Sequence, residues 1–292
     1  MFAQFFGAYL LNKEAVTRDQ LSEAIQKLSD ARIKLGTLAM HQSLMTASEV
    51  DEVCFIQTRE DKRFGEIAVS RGYLTDSQVD SLLKAQTPDY LLLGQNLVDI
   101  GALSNTDLER LMSEYQSETA IDDMSIENND KSVELIHTFF KISGQHVNDE
   151  TILYMNLLFN DLIRFVGSDF TPLAPVALED YPIDFCVTQK VTGQMNIESR
   201  MDMGRDAAIQ FASRYAKMDF SEFDEYVTAS LEDFLNLHNG LFSVNMSNQA
   251  SMELILEPPY EESGDLLMLP KNSFMLPVIF PFGTVSLILS FY

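Results

Sequence analysis

The chain has 292 residues, 46% of them apolar and 22% charged, which is the balance of a folded protein of about two domains. Its net charge is −24, and both halves share it: residues 1–144 carry 13 basic and 23 acidic side chains, residues 145–292 carry 7 and 21. Such a field repels phosphate backbones and anionic lipid, so neither a nucleic-acid polymer nor a membrane surface is expected as partner. Cys54 and Cys186 are far apart, which excludes a disulfide framework and argues against a cysteine-based zinc site. No apolar run reaches the roughly 18 residues of a spanning helix, and Met1 to Leu11 lacks a basic start, so the expected location is the cytoplasm, without membrane insertion.

The first half is a repeat. Glycines stand at Gly7, Gly36, Gly65 and Gly94, each 29 residues after the last, and the text around them repeats as well. A period of this length marks a stacked supersecondary unit. Each unit reads as a short helix, a turn and a longer helix, with Gly72 and Gly101 in the turns of the last two copies. Thr17, Thr46, Thr75 and Ser104 cap the second helices, and Gln20, Glu49 and Gln78 complete capping boxes in the first three. The expectation is an all-α array of four 29-residue helical hairpins over residues 1–116.

The third copy runs Arg63-Phe64-Gly65, Gly72-Tyr73-Leu74, Val79, Leu83, Gln86, and the second runs Lys34-Leu35-Gly36, Leu44-Met45, Val50, Cys54, Gln57. This pattern resembles the MshEN-type N-terminal domain of type II secretion and type IV pilus ATPases, a family that binds cyclic di-GMP through paired motifs. The resemblance implies Lys34 and Arg63 as cations for phosphate, and Gln57 and Gln86 as hydrogen-bonding groups for guanine edges. The outer copies lose these polar ends. The other reading of this half is an interaction module or spacer.

Residues 117–131 are polar and acidic and read as a linker. Residues 131–143 fit a strand or a short helix. From 132 to 292 the pattern is that of an α/β layer domain with a largely antiparallel sheet, giving an α+β protein of two domains. Helices are expected over 148–167, 205–218 and 224–247. Strands are expected over Phe185–Val191 and Gln194–Met201, turned at Gly193, and again from Met252 to the C-terminus, with Gly283 at a hairpin turn.

The long helix near 224–247 holds Glu232-Asp233-Phe234-Leu235-Asn236. Asp233 and Asn236 are three apart and share a face, which Glu232 can also reach. Taken alone, the pair reads as an exposed acidic stripe. With Gly240 four residues on and Pro259 twenty-three after the Asn, the spacing resembles the signature of the CheC/CheX/FliY chemotaxis phosphatases. One copy is present, as in CheX; Asn156 and Asn160 on the preceding helix have no acid three residues before them.

The resemblance implies an aspartyl-phosphate phosphatase for a phosphorylated CheY-like receiver. In it Asn236 orients the attacking water and Asp233 pairs with the receiver's lysine. Glu232 is the reserve acid, since the family acid is more often Glu. No cofactor of the chain's own is implied; a receiver-bound Mg and a homodimer are. The alternative is a non-catalytic receiver-binding adaptor, or a signalling protein responsive to cyclic di-GMP. His238 reads as a core-edge or partly exposed residue. His41, His137 and His146 show no metal-ligand spacing, and Gly204 and Gly283 form no phosphate loop.

Overall fold

Each repeat places one turn residue in the left-handed backbone conformation that side chains resist. In this computed structural model, positive φ angles fall at Glu14, Ser43, Gly72 and Gly101, again 29 residues apart. Two of the four positions use glycine, which adopts that region without steric cost. The structure describes residues 2–28, 31–85, 89–119, 129–144, 147–262 and 266–292. The chain divides into two compact units, Phe6–Ile126 with Phe2, and Glu127–Tyr292 with Met1 and Ala3–Phe5.

The helices of the first half are α1 (Phe2–Asn12), α2 (Arg18–Gln26), α3 (Leu35–His41), α4 (Ala47–Gln57), α5 (Phe64–Ser70), α6 (Asp76–Lys84), α7 (Asp89–Asp99) and α8 (Asn105–Thr119). Reciprocal capping boxes start α2, α4 and α6 at Thr17, Thr46 and Thr75. The fourth copy forms the same reciprocal pair with a shorter acid. The Asp107 amide donates to Ser104 Oγ at 3.0 Å, and the Ser104 amide donates to Asp107 Oδ2 at 3.2 Å.

The repeated glycine has a packing reason. A Cβ at Gly36 would stand 2.9 Å from Val50, one at Gly65 3.1 Å from Val79, and one at Gly94 2.5 Å from Leu108. The partner is always fourteen residues later, on the second helix of the same copy. The glycine therefore lets the two helices of a copy approach closely. Buried Gln95 and Asn96 of α7 tie in neighbouring segments: their side-chain amides donate to the carbonyls of Arg32 at 2.8 Å and Ala24 at 2.9 Å.

Of residues 117–131, 117–119 end α8 and 129–131 begin α9 (Asn129–Ile142); 120–128 lie outside the described residues. Residues 131–143, open between strand and helix from sequence, are helical through Ile142. Then follow α10 (Asp149–Phe165), β1 (Thr171–Pro172), β2 (Val176–Ala177), β3 (Asp180–Pro182), β4 (Phe185–Gly193), β5 (Ile197–Met203), α11 (Arg205–Ala216) and α12 (Glu225–Ala250). The chain ends through β6 (Leu254–Leu256), β7 (Tyr260–Glu261), β8 (Leu266–Met268), β9 (Ser273–Phe280) and β10 (Gly283–Phe291).

The main sheet runs β1-β9-β10-β5-β4-β6, with β2 on β9 and β7 on β4; β3 and β8 form a separate ribbon. Every pairing is antiparallel. Strand alternation gives the sheet an inner face of Val187 and Val191, Ile197 and Met201, Leu287 and Leu289, and Leu276 and Val278, all buried. Gln189 and its register partner Ser199 interrupt that apolar face, at 0% and 1% exposure. α12 packs on β4 and β6 over this interruption and also meets α10 and α11.

The other face carries a different chemistry. Glu198 and Arg200 form a buried ion pair there, and Tyr181 donates to Asp202 at 3.1 Å. Burial raises the Asp202 carboxyl, and burial first, then the Asp202 charge, pushes the Cys186 thiol up to about 12. That thiol is core filler rather than a nucleophile.

Candidate functional site

α12 begins with a side-chain cap, Asp224 Oδ1 accepting from the amides of Tyr226 at 3.0 Å and Val227 at 3.1 Å. Leu231, Phe234, Leu235, His238 and Asn239 turn inward and are buried. Helical periodicity then places Asp233 and Asn236 outward, and both are exposed. Glu232 is half-buried; burial, and then the charge of Glu261, raises its carboxyl.

Asp233 is held from the neighbouring helix. Tyr215 of α11 donates its hydroxyl to Asp233 Oδ2 at 2.7 Å. The Tyr215 ring is packed edge-on against Phe165 and Phe234, with centroids 6.2 and 5.5 Å away. Burial, and then the bond to Asp233, drives the Tyr215 hydroxyl well above its ordinary value, so it acts as a donor. A cavity of about 500 Å³ opens beside this pair, lined by Phe165, Tyr215, Met218, Phe220, Tyr226 and Asp233 among others.

Asn236 is held from below. Gln189 Nε2 donates to Asn236 Oδ1 at 2.8 Å and to the Glu257 carbonyl at 2.9 Å. Gln189 Oε1 accepts from Asn239 Nδ2 at 2.8 Å, which also donates to Ser199 Oγ at 2.9 Å. Tyr154 completes the chain by donating to Asn239 Oδ1 at 2.8 Å. The Glu257 carbonyl precedes Pro258 and Pro259, whose rings restrict the backbone there. Pro259 is itself half-buried. A Cβ at Gly240 would meet nothing closer than Leu256 at 3.9 Å, an ordinary contact. Packing within the unit does not demand glycine at 240, and its effect is to keep the helix surface low one turn after Asn236.

Sequence reasoning did not single out Gln189, Asn239, Ser199, Tyr154 or Tyr215. A signal existed for the first: Gln189 sits between Val187 and Val191 in a period-two pattern, a polar residue at a core position that must find partners. His238, expected near the core edge, is 0% exposed because α10 covers it. Its Nδ1 lies 2.8 Å from Asp161 Oδ2 while Nε2 has no partner among the described residues. Burial lowers its pKa, against the opposing pull of Asp161, so Nδ1–H donates and the ring is neutral.

In the helical unit, Lys34 and Gln57 line one cavity of about 460 Å³, floored by Leu35, Val50 and Phe64. Lys34 Nζ is bonded to Asp99 at 2.5 Å, and Gln57 donates to the Lys62 carbonyl at 3.1 Å. Arg63 is exposed, caps α5 through its backbone amide on Glu66 at 2.9 Å, and is not among the residues lining that cavity. Gln86 lies outside the described residues. Among the described residues, no group of three or more His, Cys, Asp or Glu could hold a metal, and no helix is long and apolar enough to cross a membrane.

Solved structures that resemble the C-terminal half include CheX- and CheC-like chemotaxis proteins. One is the chemotaxis protein CheX from Desulfovibrio desulfuricans, 14% identical over 50% of this chain and 100% of that one, with a TM-score of 0.43. A CheC-like superfamily protein from Shewanella sp. PV-4 is 17% identical over 50% of this chain and 99% of its own, with a TM-score of 0.43. A CheX–CheY–BeF3–Mg complex from Borrelia burgdorferi is 15% identical over 47% of this chain and 94% of that one, with a TM-score of 0.42. No family model matches the chain, and no curated protein matches it.

Proposed function

We propose that the C-terminal unit removes the phosphoryl group from a phosphorylated CheY-like receiver domain. The observation that carries this reading is the exposed pair Asp233 and Asn236 on one face of α12, with each side chain held by a separate donor, Tyr215 or Gln189. Phosphoryl transfer needs in-line positioning and charge stabilisation more than covalent help from the protein. A preset carboxamide meets the first need; the Mg implied on the receiver supplies the second.

In this reading α12 lies against the receiver's phosphorylation site, and low Gly240 allows close approach. Asp233 pairs with the receiver's lysine and sets the register. Asn236 orients a water for attack on phosphorus, the bond from phosphorus to the aspartyl oxygen breaks, and inorganic phosphate leaves. The helical unit is a regulatory or interaction module of the same protein.

The test is the decay of a phosphorylated receiver with and without the full chain. Decay accelerated by wild type and not by Asn236→Ala supports the reading. Asn236 is exposed but accepts from buried Gln189, so that substitution should cost about 1–3 kcal/mol of stability, and a variant that stays folded and still binds the receiver separates lost catalysis from lost fold. Receiver binding without faster decay selects the adaptor reading, which the shorter acid at Asp233 favours. Absence of both binding and acceleration across the receivers tested overturns the proposal.

A further inference from the structure

The side chain that faces solvent at the candidate site has its orientation set by one that does not. The Glu257 carbonyl can only accept a hydrogen bond, so the Gln189 side chain must turn Nε2 toward it, 2.9 Å away. That choice puts Gln189 Oε1 toward Asn239, which donates to it at 2.8 Å. The Tyr154 hydroxyl, donating to Asn239 Oδ1 at 2.8 Å, agrees with the same sense. The second Nε2 hydrogen of Gln189 is then aimed at Asn236, 2.8 Å away, and an N–H there requires an acceptor. Asn236 must therefore present Oδ1 inward and its NH2 group outward. An exposed carboxamide is ordinarily free to flip by half a turn; this one is referenced to a backbone carbonyl through a buried amide.

We infer that Gln189 is a positioning residue for the reaction, fixing the sense and rotamer of the Asn236 carboxamide so that its NH2 group faces the receiver. The inference rests on the phosphatase reading for its kinetic consequence, but its geometric content stands apart from it. The outward NH2 holds the oxygen of a water, or a phosphoryl oxygen, by donation, and the carboxamide needs no reorientation when the receiver docks. Gln189 touches neither water nor phosphate in this arrangement and acts only through Asn236. The inner sheet face accommodates a polar residue here because Ser199, its register partner, donates to the Gln189 carbonyl at 3.3 Å and accepts from Asn239 at 2.9 Å. The network is thus satisfied by groups from β4, β5, α10, α12 and the segment after β6, and loss of any one would loosen the rest.

Two variants of the full chain test this, with solvent exchange of the Asn236 side-chain NH2 protons by 15N-edited NMR and receiver dephosphorylation kinetics as readouts. The Asn236 signals are assigned by their loss in Asn236→Ala. In wild type the NH2 protons should exchange rapidly with solvent. Gln189→Glu turns the inner donor into an acceptor, so the carboxamide must flip and its NH2 protons should become protected by tenfold or more. Gln189→Met keeps the length and removes both polar ends; it should leave the NH2 protons exchanging, as one averaged environment. In both variants kcat should fall about tenfold or more, since displacements of ~1 Å at a reacting group cost on the order of 100-fold, while KM for the receiver stays within about twofold. Protected NH2 protons in wild type overturn the inference. So does a folded Gln189→Met variant with an unchanged kcat, and this variant decides if Gln189→Glu does not fold. If wild type accelerates no receiver, the phosphatase reading fails, and the exchange pattern alone still decides whether Gln189 orients Asn236.

Discussion

Tyr215 donates its hydroxyl to Asp233 at 2.7 Å, from one helix to the next, and the ring behind that hydroxyl is wedged between Phe165 and Phe234. The acid assigned to docking is thus aimed before any partner arrives. Orienting an exposed carboxylate in advance lowers the side-chain entropy lost on binding. Tyr215→Phe keeps the ring packing and removes only the donor. It should raise KM for a phosphorylated receiver by about three- to fivefold at unchanged kcat, whereas Asp233→Ala should raise it by about tenfold or more, the ~1.4 kcal/mol of a modest charge-assisted contact. Steady-state dephosphorylation with a titrated receiver separates the two constants. An equal fall in kcat for Tyr215→Phe would place Asp233 in the chemical step instead.

Helical spacing alone puts Asp233 and Asn236 on one outward face, and that placement was legible in the sequence; that the pair is a site and not an acidic stripe was implied only by the resemblance. The inward half of the site was not legible. Gln189 and Asn236 are 47 residues apart, and their bond depends on the register of β4 against α12, which no local pattern encodes. His238 was misplaced toward the surface for the same reason: its cover comes from α10, 77 residues earlier in the chain at Asp161. The repeat was legible from its glycines. The sequence also placed glycine in only two of the four turns, and it took the backbone to show that Glu14 and Ser43 occupy the same conformation without it. Capping boxes were legible in the first three copies from Gln20, Glu49 and Gln78; the fourth carries Asp107 at that position, and it closes the same reciprocal pair.

That shared turn gives a prediction about stability. Ser43 at φ 54° and Glu14 at φ 53° hold a conformation that costs a residue bearing Cβ about 1–2 kcal/mol. Gly72 and Gly101 avoid that cost, and a Cβ at either would meet nothing within 4 Å, so only the backbone term is in play there. Ser43→Gly should therefore stabilise the helical unit by roughly 0.5–1 kcal/mol, after the greater freedom of glycine in the unfolded chain is counted. Gly72→Ala should destabilise it by about 1 kcal/mol. Urea unfolding followed by helical circular dichroism reads both signs. A stabilising Gly72→Ala would mean that the turn does not hold the left-handed conformation in solution.

Beneath the site, the buried pair of His238 and Asp161 predicts how the C-terminal unit responds to acid. Burial lowers the His238 pKa below its ordinary 6.5, while the unfolded chain returns it to that value. Below pH 6.5 the unfolded state thus binds a proton that the folded state refuses. Stability from this group is complete above pH 6.5 and is lost as pH falls from there toward the folded pKa. The urea midpoint of the unit should drop between pH 7.5 and pH 5.5, and the His238 ring resonance should not titrate around 6.5. His238→Asn keeps a donor for Asp161 and removes the titrating ring, so it should lower the midpoint at pH 7.5 yet flatten its dependence on pH. An unchanged slope in that variant would assign the acid sensitivity to other groups.

The cavity of the helical unit gives the last prediction. Lys34, the cation implied for a nucleotide phosphate, is already bonded to Asp99 at 2.5 Å, and Arg63 does not line the same cavity. A cyclic dinucleotide carries two phosphates, and entry beside Lys34 would set one of them against the Asp99 carboxylate. Both groups are largely exposed, so their mutual attraction is weak and a stronger anion can displace it, but the net charge offered is near zero. On the nucleotide reading, cyclic di-GMP binds wild type weakly, and Asp99→Asn, which leaves Lys34 unpaired without changing the shape of the rim, should tighten it by about three- to tenfold, on the order of 1 kcal/mol for one exposed charge. Lys34→Ala should abolish the heat of binding in either background. Isothermal titration at high protein concentration reads all three, and the tightening should fade with added salt as exposed charges are screened. No heat from wild type or from Asp99→Asn would leave the Lys34 pocket without a nucleotide and return the repeats to the role of a protein-interaction module.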